Sequence, residues 1–282
     1  MTIIKAAAAQ RPVAVCGVSV ASVIEGTPWG LGSPAHVLFQ ISTSGALVAG
    51  VYSGLSTTKT VLEHGDFGLG TFADLDGEMV VVDGRAFRVQ GTGQVSEART
   101  DAETPFAAVT RFSAEVDVEV GDVSSLIDLK TLCDAYRVSD NVFYAFRLDG
   151  QFDRIQTRAP SPAKSGMPLR DVVDAQSEFG FADVPGTLVG FWSPRFSETF
   201  GIPGYHFHFL SDDRTQGGHL LECSASRLRL RAERLTELHL ALPQADAFLR
   251  ADLNGNPADE IAYAEEGRWD QSAMCTPLPI PI

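Results

Sequence analysis

Gly204-Tyr205-His206-Phe207-His208-Phe209-Leu210-Ser211-Asp212-Asp213-Arg214-Thr215-Gln216-Gly217-Gly218-His219-Leu220-Leu221 is the stretch whose reading decides the fold. Aromatic and histidine residues alternate through its first half. Alternation at period two is the strand pattern, so His206 and His208 leave one face while Tyr205, Phe207 and Phe209 leave the other. Asp212, Asp213, Arg214, Gln216 and the pair Gly217-Gly218 then read as a turn. His219 opens a second apolar run, Leu220 to Ala225, and a hairpin brings it beside the first two histidines.

Three imidazoles converging from strands are the donor set of a catalytic divalent metal, which takes three protein ligands and keeps a fourth position open. Neutral imidazole suits zinc, iron, nickel and copper alike, so the ligands by themselves do not name the metal. A single strand histidine is ordinarily a packed or surface residue. Here three of the chain's six histidines fall within residues 206–219. The other reading of the same residues is a His-lined hairpin that packs or binds an anion.

Outward from this hairpin, the whole chain sets bounds. At 282 residues it can bury one large core or two small ones. Its formal net charge of −14 argues against sequence-independent nucleic-acid binding, which needs clustered Lys and Arg, and against docking on anionic membranes. A small anionic substrate fits only a site with its own local positive charge, such as a metal plus an arginine. Cys16, Cys133, Cys223 and Cys275 form no CxxC pair and read as small buried hydrophobes. No apolar run is long enough to span a bilayer. Residues 1–35 are expected to be a loosely attached or disordered N-terminal extension. Its run Pro12 to Ile24 is barely hydrophobic enough for a secretory signal, and a cytoplasmic location is expected.

Along the chain, His36 to Ile41 reads as a first strand, and Leu47 to Tyr52 as a short strand or loop. Thr57 to His64 is a short capped helix closed by Gly65. Asp76-Gly77 and Asp83-Gly84 are hairpin dipeptides flanking a strand from Glu78 to Val82, with Arg85 to Gln90 as its partner. Glu78 itself reads first as a solvent-facing strand end. Val95 to Glu103 reads as a loop, Phe106 to Phe112 as a strand and Ser124 to Tyr136 as a helix. Asn141 to Leu148 is a strand that Asp149-Gly150 turns into a second, Gln151 to Arg158. Pro168 to Phe179 reads as a helix, Gly186 to Trp192 as a strand, and Arg227 to Arg231 with Leu235 to Leu242 as a further pair. Ala245 to Leu253 and Asp259 to Glu266 read as short helices, followed by an extended tail over 267–282. A faint repeat of helix, Phe-Gly and Gly-Thr strand recurs near 57–72 and 168–191. The expected class is therefore α+β, with mostly antiparallel strands in two β-rich halves, 36–138 and a metal-binding half 139–266.

Several stretches together resemble the α-acetolactate decarboxylase family. They are His64-Gly65-Asp66-Phe67-Gly68-Leu69-Gly70-Thr71-Phe72, Leu75-Asp76-Gly77-Glu78, Thr104-Pro105-Phe106-Ala107, Gln156-Thr157-Arg158, Gly186-Thr187-Leu188-Val189-Gly190-Phe191 and the His206 hairpin. Their order is kept over residues 36 to 266. The resemblance implies a Zn2+-dependent carboxy-lyase converting (S)-2-acetolactate to (R)-acetoin and CO2, in a two-domain, β-rich homodimer. It implies His206, His208 and His219 as zinc ligands, Glu78, Arg158 and Glu265 as catalytic residues, and Thr71 beside them. Glu266 is the neighbour that a helical register error would exchange with Glu265. Two departures stand out: Glu222 where an aspartate is expected, and a Ser161 to Gly166 segment lacking the expected aromatic run. A cupin-like metal oxygenase or isomerase, which also carries an HxH pair and a distant histidine, is the alternative.

Overall fold

The computed structural model describes residues 36–266. The expected extension 1–35 and tail 267–282 lie outside the described residues, and so do Cys16 and Cys275. Cys133 and Cys223 are buried free thiols.

The first half runs β1 (Val37–Ile41), α1 (Ser44–Val48), β2 (Ser56–Thr57), α2 (Thr58–His64), β3 (Phe67–Thr71), β4 (Glu78–Val82), β5 (Arg85–Val89), β6 (Val95–Glu97), β7 (Glu103–Thr104), β8 (Phe106–Thr110), β9 (Val116–Val120) and α3 (Leu126–Asp134). The second runs β10 (Phe143–Ala159), α4 (Leu169–Asp174), β11 (Ser177–Ser193), β12 (Gly204–Ser211), β13 (Gly217–Ser224), β14 (Arg227–Leu235), β15 (Glu237–Ala241), α5 (Asp246–Arg250) and α6 (Ala258–Glu266). α2 begins where expected because the Thr57 side chain accepts the Thr60 amide.

The fold is α+β with mostly antiparallel sheets. One sheet has seven strands in the order β15-β1-β8-β3-β4-β5-β6, and a second has six in the order β11-β12-β13-β10-β14-β9. Among the described strand pairs only β1–β15 is parallel. The halves exchange strands: β15 crosses to the first sheet and β9 to the second. In the second sheet, β10 pairs with β11, β11 with β12, β12 with β13 and β13 again with β10, so four strands close a circuit.

The two sheets bury a shared apolar layer, with Leu38, Phe67 and Val80 from the first against Val189, Phe191 and Leu210 from the second. Behind the second sheet, Phe207 and Phe209 pack with Leu129 and Cys133 of α3. The pleat of β12 is fixed by this arrangement. A one-residue slip would exchange the imidazoles for the phenyl rings, and burying each ring is worth about 1.5–3 kcal/mol.

Several sequence expectations are corrected. Residues from Ser44 form a helix rather than a strand or loop starting at Leu47, because Thr43 caps the Ala46 amide. Asp149-Gly150 makes no turn: β10 runs straight through it, paired with β11 and β14 on its two edges. Arg147, Arg231 and Thr187 hold the Asp149 carboxylate. Gly150 serves close strand approach instead, since a Cβ there would meet the Arg227 carbonyl at 2.7 Å. The helix from Pro168 stops at Asp174, and Ser177 already pairs with Ala159 as β11 begins. β6 and β9 lie where no strand is expected; both are short edge strands, β6 with only three residues, whereas β9 does alternate Val116-Asp117-Val118-Glu119-Val120. Gly217-Gly218 opens β13 rather than forming the turn.

Candidate active site

Cross-strand register builds the site. His208 on β12 faces His219 on β13, and His219 faces Arg158 on β10. These three form a row across adjacent strands, with His206 two residues along β12 on the same face. A bulge at Leu221 aligns the row: Gln156 pairs with Glu222, but Thr157 pairs with Leu220. Without that extra residue Arg158 would face Leu220 instead of His219. Gly218, at φ +130°, lets β10 come close, because a Cβ would meet the Arg158 carbonyl at 2.6 Å.

All three imidazoles are buried, and one ligating nitrogen from each lies within 4.8 Å of the others. His206 Nε2 and His208 Nε2 are 3.1 Å apart. His208 Nδ1 lies 2.8 Å from the Met79 carbonyl oxygen. A carbonyl only accepts, so Nδ1 carries the proton and Nε2 presents its lone pair to the cluster. Burial pushes the His208 pKa down to about 4, and burial likewise holds His206 and His219 well below the ordinary imidazole value. Neutral imidazoles with converging lone pairs are the state that binds a metal. Nitrogens about 2.0–2.1 Å from one tetrahedral ion stand roughly 3.4 Å apart, so the residues present fit a divalent metal after small rotations of the rings.

Two carboxyl groups reach this cluster from other elements. Glu78, first residue of β4, shares a face with Val80 and Val82, which point at the second sheet. Its Oε2 lies 3.6 Å from His208 Nε2. The solvent-facing reading of Glu78 is therefore replaced: the side chain is 13% exposed. Burial pushes its pKa up to about 8; Arg158 opposes the shift and Glu265 adds to it. Glu265 arrives on α6, its Oε2 3.8 Å from His206 Nε2 and 4.0 Å from His219 Nε2.

Arg158 is buried, whereas Arg154 is exposed. Its Nη2 donates to the Ala264 carbonyl and, at 3.2 Å, to the Glu265 carbonyl. A cation on the last carbonyls of a helix complements the helix dipole. α6 is also tied to α4 by Arg170–Glu260 and Tyr263–Asp174. Thr71 pairs with Glu78 across β3–β4, and its hydroxyl donates to the Gly77 carbonyl at 2.8 Å. It thus closes the turn that delivers Glu78.

A cavity of about 90 Å³ collects these groups: Thr71, Glu78, Arg158, His206, His219 and Glu265 all line it. Its remaining wall is largely apolar, built by α1, α4, Ile202 and Ile261, with Gln176 among them. Sequence reading did not select Gln176 or the Met79 carbonyl. A backbone acceptor leaves no residue signature, and Gln176 lies in no metal or charge pattern. The two departures noted above stay outside the cluster. Glu222 accepts the Leu126 amide at the start of α3 and the Cys223 amide. The 161–166 segment anchors through Ala163 to the Asp74 carbonyl.

Residues 38–255 match the family described as Alpha-acetolactate decarboxylase. A protein of that name from Methylococcus capsulatus is 40% identical over 236 residues, 83% of this chain and 91% of the relative. One from Brevibacillus brevis is 35% identical over 237 residues, covering 84% and 83% of the two chains. The crystal structure of alpha-acetolactate decarboxylase from Bacillus subtilis strain 168 superposes with a TM-score of 0.78 at 29% identity. It covers 82% of this chain and all of that one.

Proposed function

Because this chain belongs to the alpha-acetolactate decarboxylase family, we propose that it converts (S)-2-acetolactate to (R)-acetoin and CO2 at the His206–His208–His219 cluster, with zinc as the metal. The cupin alternative falls with the family match over residues 38–255. The observation that carries the reading is the cluster of three buried neutral imidazoles, two of which line one small cavity together with a buried arginine and two carboxyl groups.

Breaking the C1–C2 bond sends its electron pair into the adjacent carbonyl, CO2 departs, and an enediolate remains. Zinc bound by the three imidazoles supplies a Lewis acid for the charge that develops on oxygen. Arg158 offers forked donors to the substrate carboxylate. In the protein described here two α6 carbonyls accept from Nη2, so this contact yields as substrate enters. Glu78, with its pKa raised by burial, keeps a proton at neutral pH and is the better placed donor to one face of C2. Protonation from a single fixed side sets the configuration of acetoin. Glu265, beside His206 and His219, lies at the far side of the cluster and orients the reacting oxygens. The cavity is small and its wall largely apolar, which suits the two methyl groups of the substrate.

A homodimer belongs to the same reading. Supporting it, β15 ends its sheet with an edge that no other described strand pairs, flanked by exposed Leu242. Light scattering tests it; a monomer at working concentration removes it.

The deciding experiment is CO2 release from racemic 2-acetolactate, before and after chelation and with zinc restored, followed by chiral separation of the acetoin. Metal-dependent release giving one enantiomer is expected. No release from folded, zinc-loaded protein overturns the reading.

A further inference from the structure

Gln176 stands between the end of α4 and the start of β11 and lines the same cavity as Arg158 and Glu78. Its amide nitrogen is used locally, donating to the Val173 carbonyl at 3.2 Å. Its side-chain Oε1, however, is sealed from solvent and has no hydrogen-bond partner among the described residues. Buried acceptors are almost always satisfied, so an orphan on a cavity wall asks what fills the cavity. The apolar part of the wall, Leu169, Val172, Val173, Ile202 and Ile261, carries no side-chain donor, and none of the polar lining residues bonds this oxygen.

The chain connection brings Gln176 to the chemistry. Arg158 pairs with Glu178 and Ala159 with Ser177, the first residue of β11, and Gln176 immediately precedes that residue in the link from α4. Gln176 and Arg158 line the same cavity.

We propose that Gln176 is a substrate-binding residue whose carboxamide oxygen accepts a hydrogen bond from the C2 hydroxyl of the substrate. This rests on the decarboxylase reading above. The chemistry is one of complementarity. The 2-acetolactate anion has one hydrogen-bond donor, its C2 hydroxyl; the keto and carboxylate oxygens are all acceptors. Arg158 serves acceptors. Gln176 Oε1 supplies the acceptor that the lone donor needs, and it gives the tertiary carbon a fixed rotation within an otherwise apolar wall. The same bond makes Gln176 a specificity device: an acid lacking the C2 hydroxyl leaves a buried oxygen unpaired and is rejected.

The test is a cycle of two proteins and two stable acids. 2-Hydroxy-2-methylbutanoate and 2-methylbutanoate differ only in the C2 hydroxyl. Their inhibition constants are measured on zinc-loaded wild type, on Gln176→Met, which keeps the side-chain length without the amide, and on Gln176→Asn, which withdraws the amide by one methylene. In wild type the hydroxyl should strengthen inhibition by about 10-fold more than in either variant, the size of one buried hydrogen bond. Thermal midpoints of the variants should equal or exceed wild type, because no protein partner is lost. Equal hydroxyl dependence in all three proteins overturns the proposal, and so does a lowered midpoint in Gln176→Met with the hydroxyl dependence intact, which marks a structural role. Wild type that folds and binds zinc but releases no CO2 from 2-acetolactate sinks the decarboxylase reading instead.

Discussion

The strands that carry His206, His208, His219 and Arg158 differ in kind from the elements that bring Glu78 and Glu265. The first four residues sit on β10, β12 and β13, members of a closed circuit in which every pairing is checked by another. The two glutamates come from outside it. Glu78 stands at the end of β4 in the other sheet, and Glu265 stands in the last turn of α6, which Arg158 and α4 hold. The metal-ligand candidates thus share one hydrogen-bonded strand network, whereas the two carboxyl groups reach them across packing contacts, Glu78 from an interior strand of the other sheet and Glu265 from a helix held by side chains. Arg158 joins the two regions, since it belongs to the row yet donates to the helix.

The largest effect should come from breaking the circuit's ligand set. His208→Ala removes a metal ligand and should cost roughly 1,000-fold or more in kcat/KM, matching several kcal/mol of lost charge stabilisation. Zinc content should fall with it while far-UV circular dichroism stays unchanged. A variant that keeps both zinc and activity would show that the row is not the metal site.

The outer carboxyls come next. Glu78→Gln should lower kcat by about 100-fold or more, the ordinary worth of a general acid. Glu265→Gln should affect KM and zinc retention more than kcat. The reverse pattern would exchange the two roles, and unchanged turnover in both would move the proton donor to water or another group.

Chelated protein provides a gentler contrast, because pH acts on the two regions with opposite sign. The imidazoles are neutral when folded, with His208 titrating near 4, but take protons in the unfolded chain below 6.5. Their contribution is complete above pH 6.5 and is lost as pH falls toward 4. Glu78, raised from 4.5 to about 8, works the other way: its contribution is complete below pH 4.5 and is lost as pH rises to about 8. Three imidazoles oppose one carboxyl, so the stability of the metal-free protein should fall as pH drops below 6.5. Urea titrations of metal-free protein measure this. A flat profile would mean that the cluster opens to water without metal.

Thr71→Val is the smallest. It removes the bond to the Gly77 carbonyl, worth about 1 kcal/mol, and should lower kcat by about 5-fold through loosened placement of Glu78. Its effect should vanish in a Glu78→Gln background. If the two losses simply multiply, Thr71 acts elsewhere.

Much of the site was legible in residue order. Period two in Tyr205 to Phe209 places both histidines on one face of a single strand, and that follows from strand geometry before any partner is known. The Thr57 cap and the Asp83-Gly84 turn are equally local. Glu78 was not legible from its own neighbourhood: a charged residue after a turn ordinarily faces water, and only the second sheet lying over β4 buries it. Asp149-Gly150 misled for a related reason. The dipeptide favours a turn in isolation, yet strands on both edges and three side chains on Asp149 hold it extended.

The sequence by itself determined the donor chemistry, the hairpin that gathers it and the α+β class, because each rests on periodicity or capping within a few residues. The tertiary structure decided where Arg158 stands, through the register of distant strands and a bulge at Leu221 that sets it opposite His219. It also brought the Met79 carbonyl to His208, α6 to the rim and Gln176 to the wall. These placements depend on which distant segments bury one another, and that balance is struck across the whole core rather than within any one stretch of chain.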